Sequence, residues 1–131
     1  MSAETAALLD EGINVIRRNG WTTIGDFHEQ QYTNYGEDEI EARECPVCTV
    51  GAIAVAAGRE PDDWCNGSGV IEAMRAVQEY LGLELNFEGH VDEDRAVLEA
   101  IGSWNDNQAA DREAVIAALE GAARAERGAA S

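Results

Sequence analysis

Cys45-Pro46-Val47-Cys48-Thr49-Val50-Gly51-Ala52-Ile53-Ala54-Val55-Ala56-Ala57 is the stretch on which the fold turns. At helical spacing its apolar residues leave no polar face, and a helix without one has to be surrounded by other elements. Pro46 suits a first turn, where its missing N–H is no loss. Gly58 supplies a stop. A buried helix over residues 46–57 is therefore expected at the centre of the molecule. Gly51 within it lowers helix stability and is read as a point where a neighbouring helix comes close. Cys48 reads as a small apolar filler.

The flanking sequence supplies helices to wrap around that centre. Ala6, Leu9, Ile13 and Ile16 form one face of a helix over about 3–18, with Ser2 as N-cap, Glu4 in the first turn and Arg17 and Arg18 in the last. Gly20 takes the left-handed position after it. Trp21 should then fold back onto Ile16 in a Schellman ending and become a core residue. Val70, Met74, Val77 and Leu81 define a third helix, capped by Ser68 and stopped by Gly82. Leu83, Leu85 and Phe87 alternate with polar residues, the pattern of a short extended segment. A fourth helix opens at Asp92, buries Val97, Leu98 and Ile101, and is expected to end near 102–104. The fifth is capped by Asp111, carries Val115, Ile116 and Leu119, and stops at Gly121, with 121–131 as a frayed tail. Residues 22–44 show no period and read as a long acidic loop, and 59–67 as a polar connection. The expected fold is all-α: a single compact domain of about five helices over residues 1–131.

Charge narrows the function. The 131 residues hold 26 acidic and 9 basic side chains, a formal net charge of −17, and every basic residue is arginine. Such a balance opposes binding to nucleic acid or to an anionic membrane surface. It leaves a solvated coat, a surface that docks on a basic protein, or a nucleic-acid mimic. The N-terminus lacks the basic and apolar regions of a signal peptide, and the longest apolar run, 50–57, is too short to span a bilayer. A cytoplasmic protein is expected. Three cysteines do not form a secreted disulfide framework.

Several short segments stand out together: Gly20-Trp21; Cys48-Thr49-Val50-Gly51-Ala52-Ile53; Ile101-Gly102-Ser103-Trp104-Asn105-Asp106; and Asp111-Arg112-Glu113-Ala114-Val115-Ile116. They resemble an uncharacterised family of small helical proteins, a domain of unknown function, from actinobacteria and their phages. Its members show Gly-Trp, Cys-x-x-Gly-Ala and Trp-Asn-Asp motifs. The resemblance covers most of the chain outside the acidic loop and the tail. This sequence departs from it after Trp-Asn-Asp. Members often read Pro-Gly-Arg-Thr there, and here Asn107-Gln108-Ala109-Ala110-Asp111 places Asp111 where the Thr cap would stand. The resemblance implies a fold and a phage-related origin; it carries no reaction and no cofactor.

Candidate chemistry is sparse. Cys45-Pro46-Val47-Cys48 has the spacing of a disulfide oxidoreductase motif, but no strand precedes it and Cys48 lies among core residues. Cys45, Cys48, Cys65 and one of His28 or His90 could make a Cys₃His zinc site, although the second half lacks a close pair. Trp104-Asn105-Asp106 reads as a structural turn between the last two helices, Trp104 plugging the core, with a polar site on Asn105 and Asp106 as the alternative. Asp38, Glu39, Glu41 and Glu44, like Asp92, Glu93 and Asp94, read as solvated faces without the glycine and alternating oxygens of a calcium loop. His28, Tyr32, Tyr35, Glu37, Asp38, Glu39, Glu41 and Trp64 are candidates for a partner-binding surface. Trp21, Gly51, Trp104, Asn105, Asp106 and Asp111 are candidates for structural roles. No catalytic residue and no cofactor is assigned. The expected function is that of a non-enzymatic, acidic interaction protein binding a basic protein partner. The alternative is a small zinc-binding or thiol-redox protein using Cys45, Cys48 and Cys65.

Overall fold

The computed structural model describes residues 2–23, 46–59, 69–89 and 92–130. Among them lie five helices: α1 Ser2–Asn19, α2 Thr49–Ala56, α3 Val70–Leu81, α4 Glu93–Asn107 and α5 Arg112–Ala130. They form one all-α domain. The β-type contact among the described residues is an isolated parallel bridge between Trp21 and Val47.

The centre is α2. Its residues from Thr49 to Ala54 are all buried, because they are apolar or small around the whole circumference. Helices α1, α3 and α4 pack on it, and α5 lies against α1 and α3. Each helix sends at least one fully buried large side chain inward: Leu9 and Ile16 from α1, Ile53 from α2, Met74 from α3, Ile101 from α4 and Leu119 from α5. At Gly12 the α1 backbone passes Ala52 of α2. A Cβ added there would lie 3.8 Å from the Ala52 carbonyl oxygen, an ordinary contact.

The helix ends differ in detail from the sequence expectation. The central helix does not begin at Pro46. Pro46 and Val47 run alongside Trp21 and Thr22, with Thr22 N–H donating to the Val47 carbonyl at 2.9 Å and Val47 N–H to the Gly20 carbonyl at 3.0 Å. Cys48 is the N-cap, its extended backbone opening the helix and its sulfur accepting from Gly51 N–H at 3.3 Å. Competition from the bridge with Trp21 thus removes the first three residues from the expected helix.

The end of α1 is an αL ending rather than a Schellman one. Gly20 has φ 101°, and its N–H donates to the Ile16 carbonyl at 2.8 Å. Trp21 is half-buried against the core, not enclosed in it, since its indole is drawn toward α4. The third helix is preceded by Gly69, in left-handed conformation at the N-cap position. Its Schellman end is formed by Gly82 N–H to Glu79 and Leu83 N–H to Gln78. Residues 83–87 form no regular element.

Asp92 caps α4 by accepting from Arg95 N–H at 2.8 Å. The helix then continues beyond 102–104, so Trp104-Asn105-Asp106 is its last turn and not a link between helices. Asp111 caps the final helix through Ala114 N–H at 2.9 Å. That helix passes through Gly121 to Ala130, where the sequence suggested a stop at 121, and buries Ala122 and Ala123. Ion pairs join elements at the surface: Arg75 of α3 to Glu93 and Asp94 of α4, and Arg127 of α5 to Asp10 of α1.

Candidate functional site

Two features of the described structure concentrate polar groups. The first is inside. Trp21, Thr22 and Thr49 reach the same place because the Trp21–Val47 bridge lays the end of α1 beside the start of α2. Asn105 meets them from the last turn of α4 and is wholly buried. Its side-chain oxygen accepts from Trp21 Nε1 at 2.8 Å, from Thr49 N–H at 2.9 Å and from Thr49 Oγ1 at 2.6 Å. Its Nδ2 donates to the Thr22 carbonyl at 3.2 Å and to Asp106 Oδ1 at 3.0 Å. The indole and backbone N–H groups can only donate, so they fix which end of the carboxamide is oxygen. Both amide hydrogens and the oxygen are then fully engaged. Such a group holds segments together and has no capacity left for a ligand.

Gly20-Trp21, Cys48-Thr49 and Trp104-Asn105-Asp106 thus converge from three separate parts of the chain. A model described as "Family of unknown function (DUF6197)" matches residues 1–125. The chain belongs to this family. No curated protein and no solved structure matches it.

The second feature of this DUF6197 chain is a cleft of about 640 Å³ on the outer side of α4. One wall is made by residues 81–84 and Asn86. The other is made by Ala96, Ala100 and Trp104, with Glu99, Ser103 and Gln108 beside them. Trp104 is partly buried against the core and also lines the cleft. Gln78 Nε2 donates to the Leu83 carbonyl at 2.7 Å and holds the first wall in place. Glu99 pairs with Arg95 one turn earlier at 3.0 Å.

No local sequence pattern marks this cleft as a whole. Its helical wall was nevertheless legible as two stripes four residues apart, Ala96-Ala100-Trp104 and Glu99-Ser103. Nothing in the sequence placed residues 81–86 opposite them.

The candidate site residues fall in three places. Trp21, Asn105 and Asp106 meet at the buried carboxamide, and Trp104 lies between it and the cleft. Gly51 is buried and supplies the N–H that Cys48 caps; Cys48 itself is 5 % exposed. Asp92 and Asp111 serve as helix caps, and Glu93 and Asp94 face Arg75. His28, Tyr32, Tyr35, Glu37, Asp38, Glu39, Glu41, Glu44, Cys45, Trp64, Cys65 and His90 lie outside the described residues. Among the described residues no three His, Cys, Asp or Glu side chains gather into a metal-binding group. None of the described helices is long and apolar enough to cross a membrane.

Proposed function

We propose that this protein is a non-enzymatic, acidic interaction module that binds a basic protein partner, as an accessory factor in the cytoplasm of an actinobacterial or phage-infected cell. The observation that carries the reading is how the polar groups are distributed. Among the described residues the buried polar side chains are Thr22, Thr49 and Asn105, hydrogen-bonded to one another's segments. Every described carboxylate is exposed or partly exposed. The described interior is therefore committed to holding the fold, and what the described surface offers another molecule is chiefly a field of negative charge. The segment 22–44 adds seven carboxylates against one arginine. A field of this kind steers and orients a cationic partner more than it adds raw affinity.

The test is the salt dependence of a purified complex between this chain and its partner. Raising ionic strength from 0.1 M to 1 M shortens the screening length from about 10 Å to about 3 Å and should weaken the complex steeply. Replacing Glu37, Asp38, Glu39 and Glu41 by their amides should weaken it in low salt and flatten the salt dependence. An affinity that stays constant across that range rejects the reading.

A further inference from the structure

The cleft beside α4 combines three properties. Trp104 lines it, and its indole N–H has no hydrogen-bond partner among the described residues. Glu84 and Glu99 line it, and no arginine does. Along the first wall, the backbone N–H and C=O groups of residues 84–87 make no hydrogen bond within the described chain, although burial alternates from Leu83 to Leu85 as it does in extended chain. Each property selects a different part of one ligand. An indole face attracts a cation, most strongly a guanidinium or ammonium group that has shed some of its water. Two carboxylates reinforce that choice and can accept its N–H groups. Unpaired backbone beside a groove pairs with an extended peptide, the mode in which main-chain hydrogen bonds give affinity and a side-chain pocket gives specificity. The volume lies within the usual range of about 300–1,000 Å³ for binding pockets.

We infer that this cleft receives an extended segment of a basic protein, with an arginine or lysine side chain laid on Trp104 between Glu84 and Glu99 and the peptide backbone running beside residues 84–87. The inference rests on the basic-partner reading above and narrows it to one surface. A purely apolar ligand would leave Glu84 facing it without compensation and Glu99 balanced by Arg95 alone, and an anion would meet both carboxylates.

The experiment uses the full chain and two synthetic peptides, one alternating arginine with serine and the other with citrulline, the neutral isostere, in place of arginine. In nitrogen-15 NMR titrations at low salt, the arginine peptide should shift the Trp104 indole signal and the amides of residues 84–87 and 99–108. The citrulline peptide should leave them in place. Glu84→Gln with Glu99→Gln should weaken arginine-peptide binding about tenfold, the loss of two partly exposed charge contacts. Glu11→Gln with Glu120→Gln, an equal change of charge on α1 and α5, should weaken it about twofold or less. Circular dichroism verifies that both double variants remain folded. Equal losses in the two double variants, shifts spread over the whole acidic surface, equal binding of the citrulline peptide, or no binding of the arginine peptide each overturn the cleft assignment. Diffuse binding of the arginine peptide would still leave the basic-partner reading standing, because that reading falls only with a salt-insensitive complex.

Discussion

Asn105 has a side chain of four heavy atoms beyond Cα, none of them exposed, and five hydrogen bonds converge on its two polar ends. Four of those bonds reach residues 56 to 84 positions away in sequence. Truncating it leaves the Trp21 indole N–H and both donors of Thr49 facing a void. A buried donor left without a partner costs about 1–3 kcal/mol. Asn105→Ala should therefore destabilise the protein by roughly 3–5 kcal/mol, if it folds at all. Trp21→Phe removes one donor and leaves the rest of the network closed, so it should cost only about 1–2 kcal/mol. Urea denaturation of both variants checks the order, and a loss for Asn105→Ala no larger than that for Trp21→Phe would show the carboxamide to be dispensable. The residue types were visible in the sequence, but the convergence was not. A Trp-Asn-Asp run reads locally as turn chemistry because Asn and Asp commonly bond to nearby backbone. Here the partners of Asn105 lie mainly on segments remote in sequence, the bridge at residues 21–22 and the start of α2, and that information is absent from any window around it.

Among the elements, local signals succeeded at several helix ends where the deciding interaction was itself local. Asp92 begins a helix, and Gly58 and Gly82 end theirs, because caps and left-handed endings draw on backbone within a few residues. Two departures share the opposite cause. Pro46 and Val47 were assigned to a helix they do not enter, since Val47 exchanges backbone hydrogen bonds with the remote segment 20–22. Gly121 was read as a stop and instead lies in mid-helix, where the edge of the Tyr80 ring occupies the space a Cβ would take. The glycine is there for a crossing between α3 and α5, not for an ending. This gives a prediction with two opposite signs. In a Tyr80→Ala background, Gly121→Ala should stabilise the protein by about 0.5–1 kcal/mol, the ordinary helix preference of alanine. With Tyr80 present, the half-exposed ring must swing aside, and that gain should shrink or reverse. Thermal melts of the four proteins in this cycle measure the coupling; a coupling near zero would mean that the ring does not rest on the glycine in solution.

For the whole molecule, the all-α class and the central position of the apolar stretch follow from patterning, and both hold in the structure. The net charge of −17 on 131 residues acts on everything at once. Crowding like charges onto a compact surface opposes folding, and the few ion pairs between helices relieve it only locally. Added sodium chloride at neutral pH should therefore raise the melting temperature, with most of the gain below about 0.5 M, where screening changes fastest. A melting temperature that falls or stays flat over that range would mean that self-repulsion is a minor term. The bridge between Trp21 and Val47 has a consequence for the span it closes. It holds residues 20–22 beside residues 46–47 at the edge of the core, so the chain leaves and re-enters the bundle at adjacent points. Each doubling of the length of such a closure costs only about 0.6 kcal/mol in chain entropy, a term the bridge can meet as the number of residues between its ends changes.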